Sequence, residues 1–250
     1  MSQEVLLSAV VPLRDEAESL PGLHRELVQA LEGLGVGWEV VYVDDGSTDG
    51  GPIILAGLAT DPRVKVVRLD RAYGQSTALV AGAERARGRW LVTLDADGQN
   101  DPTDIPALWL ALGESGADVV QGIRVRRADG WLRRASSRIA NAVRDRLSGD
   151  RVTDVGCSLR IMPRDLFLAA PRFEGMHRFL PTLLRMVGGT VVERPVGHRP
   201  RRAGRSKYTI RNRIWKGLAD LMMVRRLRRG WVRYGVRDGD PGPLSPGDPI

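Results

Sequence analysis

The sequence predicts an α/β fold: a mostly parallel central sheet covered by helices on both faces. Three observations predict it. Short apolar runs, such as residues 6–13, read as buried strands. Along the first half these runs alternate with segments whose apolar residues recur at helical spacing, the order expected of βαβ units. Polar, acidic clusters fall directly after the runs, and in such sheets ligands sit beyond the carboxyl ends of the strands.

Residues 6–13 are followed by Leu20, Leu23, Leu27, Leu31 and Leu34 on one helical face, with Ser19 as the expected N-cap and Gly35 as the stop. Residues 40–43 make the second strand, 53–58 a short helix, 64–69 the third strand, 77–86 a helix and 90–94 the fourth strand. Farther on, 118–122 reads as a strand and 131–147 as a helix with Leu132, Ile139, Val143 and Leu147 on one face. Residues 159–162 and 191–196 read as strands around a helix at 179–187.

A last amphipathic segment, 210–231, carries Ile210, Ile214, Leu218, Leu221 and Met222 as one stripe, then Arg225, Arg226, Arg228, Arg229 and Trp231. Basic residues beside an apolar face suit an anionic membrane surface, and the same stripe suits packing on the core. The expected organisation is one domain over 1–235, made of a first half (1–120), a second half (121–209) and the amphipathic helix (210–232). Residues 236–250, rich in Gly, Pro and Asp, read as a disordered tail.

A chain of 250 residues that is 42% hydrophobic can bury a sizeable core in one large domain. Its single cysteine, Cys157, excludes an internal disulfide and a cysteine-rich zinc site, and fits a reducing, cytosolic compartment. There is no signal-like amino terminus and no apolar run near the ~20 residues that span a bilayer, so the expectation is a chain neither secreted nor membrane-spanning. The net charge of +8 is uneven: residues 1–120 hold 9 Lys+Arg and 19 Asp+Glu, residues 121–250 hold 29 and 11. An acidic half before a basic half suggests one sub-site for a cation and another for a polyanion. Nucleic acid is a possible polyanion, but only 5% of the chain is aromatic, so no nucleic-acid partner is expected.

Asp95 and Asp97, separated by one small residue at the end of an apolar strand, can present oxygen ligands to Mg²⁺ or Mn²⁺, a site commonly completed by substrate phosphates. In Val43-Asp44-Asp45-Gly46-Ser47-Thr48-Asp49, a carboxylate can accept hydrogen bonds from a nucleobase or a ribose; the same segment also reads as a tight turn with Ser47 or Asp49 capping the next helix.

Pro12 through Glu16, residues 43–49 and Leu94-Asp95-Ala96-Asp97-Gly98-Gln99-Asn100-Asp101-Pro102, in this order and at these separations, resemble the family 2 glycosyltransferases of the GT-A fold. More narrowly the chain is similar to the dolichol-phosphate mannose synthase group and its bacterial polyprenyl-phosphate relatives, over roughly residues 5–230. The resemblance implies that Pro12, Arg14, Glu16, Val43 and Asp45 line the nucleoside pocket. It implies further that Asp95, Ala96 and Asp97 hold the sugar diphosphate, and that Asp97 and Gln99 ligate the metal. Asp15-Glu16 stands where the motif normally reads Asn-Glu, and Gly98 where the subgroup often has Leu.

In the basic half, Arg124, Arg133 and Ser137 resemble the subgroup's acceptor-phosphate contacts, the last two sharing a helix face at i and i+4. Arg201, Ser206 and Lys207 match its Arg-preceded Gly-x-Ser-Lys loop, and Asp154 matches a motif that either orients an acceptor-site arginine or caps a turn. With Asp95 and Asp97, Arg124 and Arg133 form the expected catalytic set.

What the resemblance implies is an inverting, metal-dependent transfer from a GDP- or UDP-linked sugar to a polyprenyl phosphate, at the inner face of the cell membrane. The chain would be a peripheral protein, with a membrane protein or a second copy as further possible partners. A saccharide acceptor would need a general base, whereas a lipid phosphate is already ionised, so His24, His177 and His198 need no catalytic role.

Overall fold

The computed structural model describes residues 4–124, 153–154, 156–200 and 210–230, with backbone alone over 210–218. Its strands are β1 (Leu7–Leu13), β2 (Trp38–Asp44), β3 (Val64–Arg68), β4 (Trp90–Thr93), β5 (Val119–Arg124), β6 (Arg160–Pro163) and β7 (Val191–Val196). They form one seven-stranded sheet in the order β3-β2-β1-β4-β6-β5-β7. Strands β1 to β4 pair in parallel, as do β5 and β7; β6 alone runs antiparallel, between β4 and β5.

The helices are α1 (Leu20–Glu32), α2 (Gly51–Leu58), α3 (Gln75–Arg85), α4 (Ile105–Ser115), α5 (Arg164–Ala169), α6 (Leu180–Met186) and α7 (Ile210–Gly230). They cover both faces. Leu7, Ala9, Val11 and Leu13 of β1 pack with Leu20, Leu23, Leu27 and Leu31 of α1 and with Ile105 and Leu108 of α4. Val10, between them, points the other way and joins Ala78, Leu79 and Ala83 of α3 and Leu183 and Leu184 of α6. A strand buried on both faces has no wet side, which is why its sequence is a near-continuous apolar run.

Several local expectations change. Ser19 makes no side-chain cap on α1. Its hydroxyl donates instead to the carbonyls of Glu16 (3.0 Å) and Ala96 (2.7 Å). The last turn of α1 closes at Gly33, and Gly35, at φ 67°, turns the chain toward β2. Helix α3 starts two residues before the expected 77, immediately after Gly74, whose φ of 96° and ψ of 161° suit only a glycine. Helix α4 was not expected, although Ile105, Leu108, Ala111 and Leu112 do carry helical spacing; Pro102 and Pro106 mark a start rather than a break. The expected helix at 131–147 and tail at 236–250 lie outside the described residues.

Helix α7 buries Asp220, Leu221 and Val224, while Met222 is 54% and Met223 44% exposed. The apolar stripe therefore turns off the expected line at Met222: Leu221 and Val224 pack on the core, and the methionines face outward. Arg178 fastens the helix through Asp220 at 3.0 Å. Among the described residues no helix is long and apolar enough to cross a membrane.

The seating of α3 on β1 and β2 leaves no space at Gly82. A β-carbon there would stand 2.4 Å from Val10 Cγ1 and 2.9 Å from Val43 Cγ2. Gly82→Ala improves helix propensity by roughly 1 kcal/mol but forces an overpacked contact costing ~1–3 kcal/mol. The expected outcome is a lower midpoint of urea unfolding; a raised one would show that α3 can move off the sheet freely.

Candidate active site

The acidic clusters meet because of strand register. Leu13 pairs with Asp44 and Val10 with Thr93, so the chain leaving β1, β2 and β4 emerges at one edge of the sheet. There the first two loops are stitched together. Asp15 N–H donates to Ser47 Oγ (3.0 Å), and Asp15 Oδ1 accepts from Thr48 N–H (2.7 Å). Asp49 Oδ2 accepts from Ala17 N–H (2.9 Å) and its Oδ1 from Gly51 N–H at the start of α2 (2.9 Å). Asp15 sits at φ 55°, a conformation that Asn and Asp adopt more readily than other side chains. The exchange of Asn for Asp in this motif therefore keeps the turn and gains a carboxylate for Thr48.

Of the residues expected at the nucleoside, Arg14 is exposed, Glu16 is half-buried and accepts from Ser19 Oγ (3.3 Å), and Pro12 is buried. Val43 is wholly enclosed, its side chain packed against α3. Asp45 Oδ1 accepts from Tyr73 N–H (2.6 Å) and Oδ2 from Gly74 N–H (2.8 Å). Each oxygen keeps a lone pair for a ligand, but the first task of this carboxylate is to hold the loop after β3 against the loop after β2. The Arg71 guanidinium lies over the Tyr73 ring at 4.8 Å on that loop.

Asp95 is the most perturbed carboxylate of the cleft. Burial, and then the charge of Asp97, push its pKa up to about 6, against hydrogen bonding from Ser158 and the charges of Arg160 and Arg124. Gln75 Nε2, at the start of α3, donates to its Oδ1 at 2.6 Å. Asn100 Oδ1 accepts from Asp95 N–H (3.3 Å) and from Ser158 Oγ (2.7 Å), so one amide ties the motif to the segment before β6. Ala96 is buried and its carbonyl is held by Ser19. Asp97 Oδ1 accepts from Gln99 N–H (3.1 Å), and the Gln99 side-chain amide comes within 3.5 Å of His198 Nε2.

These groups fit a hard divalent cation. Two carboxylates whose charges oppose each other are relieved by one, and Asp97 and Gln99 supply oxygen donors beside the pair. Among the described residues no three His, Cys, Asp or Glu side chains form a group that could hold a metal ion.

On the other side of β4 stands Arg124. Its Nε donates to Asp154 Oδ2 (2.7 Å), its Nη2 to Oδ1 (2.8 Å) and its N–H to Oδ2 (3.1 Å). Burial opposes the Asp154 charge, but the hydrogen bonds and charge of Arg124 hold its pKa below the usual carboxylate range. Asp154 also accepts from Gly156 N–H (3.1 Å), so it both orients the arginine and closes a turn. Arg133, Ser137, Arg201, Ser206 and Lys207 lie outside the described residues.

Sequence reasoning did not single out Gln75, Ser158 or Arg199 for this site, and read Asn100 and His198 without a role in it. Gln75 carried one usable signal, its place at the amino end of a helix following an acidic strand end.

The profile of the family described as glycosyl transferase family 2 matches residues 8–169. A relative from Sodalis glossinidius (strain morsitans), undecaprenyl-phosphate 4-deoxy-4-formamido-L-arabinose transferase, is 38% identical over 206 residues, which are 82% of this chain and 63% of the relative. Mannosyl-3-phosphoglycerate synthase from Rubrobacter xylanophilus superposes with a TM-score of 0.66 at 20% identity, over 95% of this chain and 79% of that one. Glucosyl-3-phosphoglycerate synthase from Mycobacterium tuberculosis, crystallised with Mn²⁺ and UDP-glucose, does so with 0.65 at 18%, over 88% and 79%. The shared architecture is the GT-A fold that the motifs implied.

Asp45 offers a test of the site's construction that is independent of substrate. Asp45→Asn keeps the size but turns an NH₂ group toward the N–H of Tyr73 or Gly74, leaving one donor without its acceptor. A loss of ~1–3 kcal/mol is expected, read as a lowered urea midpoint. A wild-type midpoint would mean that the loop after β3 holds without this carboxylate.

Proposed function

The chain belongs to glycosyl transferase family 2, and from that premise we propose that it moves a sugar from a nucleoside diphosphate to a polyprenyl phosphate. The observation that carries this reading is the pairing of two half-sites at one edge of the sheet, one after β4 and the other at the end of β5, with β6 between those strands. Asp95 and Asp97 stand on one side as a cation-seeking pair, and Arg124, clamped by Asp154, stands on the other as an anion-seeking group. The name of the Sodalis relative, an undecaprenyl-phosphate sugar transferase, supports the acceptor class; this chain spans 63% of that relative's length.

In the proposed reaction an oxygen of the acceptor phosphate attacks the anomeric carbon. The new C–O bond forms as the bond to the nucleoside diphosphate breaks, and the electron pair leaves with the diphosphate, inverting the anomeric configuration. No proton has to be removed from the nucleophile, which fits a cleft whose acceptor side is read as arginine rather than as a histidine base. Asp97 and Gln99 would hold Mg²⁺ or Mn²⁺, which when bound neutralises the charge gathering on the diphosphate. Asp95, steadied by Gln75 and Asn100, faces that same end. Loops 12–16 and 43–49 take the nucleoside, with Pro12, Arg14, Glu16, Val43 and Asp45 around it.

Arg124 positions the acceptor phosphate. Asp154 engages its Nε and one Nη nitrogen, which fixes the plane of the fork and leaves the other Nη for a phosphate oxygen. Arg133, Ser137, Arg201, Ser206 and Lys207 complete that half in this reading. The catalytic domain is taken as 1–235, with donor half 1–120, acceptor half 121–209 and the helix at 210–232. Helix α7 supports a peripheral place at the inner face of the cell membrane, because its exposed Met222 and Met223 are set beside exposed Arg226 and Arg229.

Asp97→Ala is expected to abolish transfer while leaving the unliganded unfolding midpoint unchanged; transfer that survives would contradict the site. In a thermal-shift screen of UDP- and GDP-sugars with Mn²⁺, the true donor should stabilise the wild-type chain by ~2.7 kcal/mol at 100 times its Kd. Product formation with a short-chain polyprenyl phosphate, and none with oligosaccharides, checks the acceptor.

A further inference from the structure

Past the end of β7 the chain is fastened to the segment that follows the acidic pair. Gly197 N–H donates to Asp104 Oδ2 (2.8 Å), Asn100 and His198 form an antiparallel bridge, and Arg199 N–H donates to the Gln99 carbonyl (2.9 Å). The Arg199 side chain completes the seam. Its Nε and Nη2 reach Asp101 Oδ2 at 3.0 and 2.7 Å, and its Nη1 reaches Glu26 Oε2, on α1, at 2.5 Å. Asp101 Oδ1 in turn accepts from Thr103 N–H (3.0 Å) and Oγ1 (2.6 Å). One guanidinium thus ties together α1, the stretch after the acidic pair and the stretch after β7.

We propose that Arg199 is a positioning residue that keeps Gln99 in register with Asp97, an inference that rests on the function proposed above. Every nitrogen of the guanidinium is engaged by Asp101 or Glu26, so its charge and orientation are set by the protein's own carboxylates. What it steadies is next to the cation ligands. Gln99 is gripped on both sides of its peptide, by Asp97 Oδ1 at its N–H and by Arg199 N–H at its carbonyl, with the His198 imidazole beside its side chain.

Without the guanidinium, Asp101 loses the cation that holds it to α1 and to the stretch after β7, with Asp104 close enough for the charge of Asp101 to act on it. The segment 99–104 would spread, carrying Gln99 and His198 away from Asp97. The nucleoside loops, held by Asp15, Asp45 and Asp49, share none of these bonds.

The test uses the full chain, with UDP or GDP according to which the wild type binds. Mn²⁺ affinity in the presence of the nucleotide is read by electron paramagnetic resonance, nucleotide affinity without metal by calorimetry, and kcat and donor KM at saturating Mn²⁺. Arg199→Ala is expected to weaken Mn²⁺ binding and lower kcat by about 10–100-fold, with metal-free nucleotide affinity and donor KM within about twofold.

Arg199→Lys should recover part of the loss, since it keeps the charge without the fork. Asp101→Asn should reproduce the defect, and the double variant should be no worse than either single one. Wild-type Mn²⁺ affinity in both Arg199→Ala and Asp101→Asn, or an equal loss of nucleotide affinity, overturns the proposal alone. A wild-type chain that binds neither Mn²⁺ nor either nucleotide overturns the functional reading and this proposal with it.

Discussion

The repulsion between Asp95 and Asp97 is the constraint around which the cleft is arranged. Burial of Asp95 at the end of its strand, and then the charge of Asp97 one residue away, disfavour its ionised form, and its raised pKa, about 6, registers both. The neighbouring acidic residues carry no such burden. Asp15, Asp44, Asp45, Asp49 and Asp101 each accept from backbone N–H groups that loops would otherwise leave without partners. The acidic first half therefore divides by role: most of its cleft carboxylates build loops, while Asp95, which accepts from Gln75, also bears the charge of Asp97, which accepts from Gln99 N–H.

The same division holds among the arginines. Between residues 156 and 200, Arg160 donates to the Cys157 and His177 carbonyls, Arg164 to Ala83, Arg185 to Val191 and Arg194 to Glu193. Arg172 pairs with Glu84, Arg178 with Asp220 and Arg199 with Asp101 and Glu26. Arg124 differs in kind, because its carboxylate partner is fixed from behind by Gly156 N–H and its remaining Nη nitrogen is unspent by that pair.

How far the sequence could be read follows from what each pattern reports. Apolar periodicity reports burial, so β1 to β4, α1 and the parallel order were legible, and with them the edge at which the acidic clusters meet. Burial patterns do not report partners distant along the chain. Ser19, in a good N-cap position, bonds Ala96 some 77 residues away, and Arg199 reaches Glu26 across 173. Nor does an i, i+4 stripe say where a helix turns off the core: Leu221 and Val224 are buried, yet Met222, beside them in sequence, is not, because Asp220 must also face inward to meet Arg178. The donor-side motifs were legible because local turn chemistry and ligand chemistry ask for the same residues; the pieces that steady them, Gln75, Asn100 and Arg199, had no local reason to stand out.

A formal charge count therefore says less about binding than it first suggests. The excess of +18 over residues 121–250 invites a polyanion as ligand, but part of it is offset within the protein by carboxylate partners, as at Arg178 with Asp220, Arg172 with Glu84 and Arg199 with Asp101 and Glu26. Among the described residues of that half, Arg124 keeps one Nη nitrogen outside its pair with Asp154, and at the exposed end of α7 Arg226 and Arg229 stand with Met222 and Met223. In the function proposed above, a phosphate on a lipid tail would use both features at once, its headgroup meeting the arginine and the surface it comes from meeting the helix. A free oligosaccharide or a nucleic acid would leave the pairing of cation with exposed apolar side chain without a use.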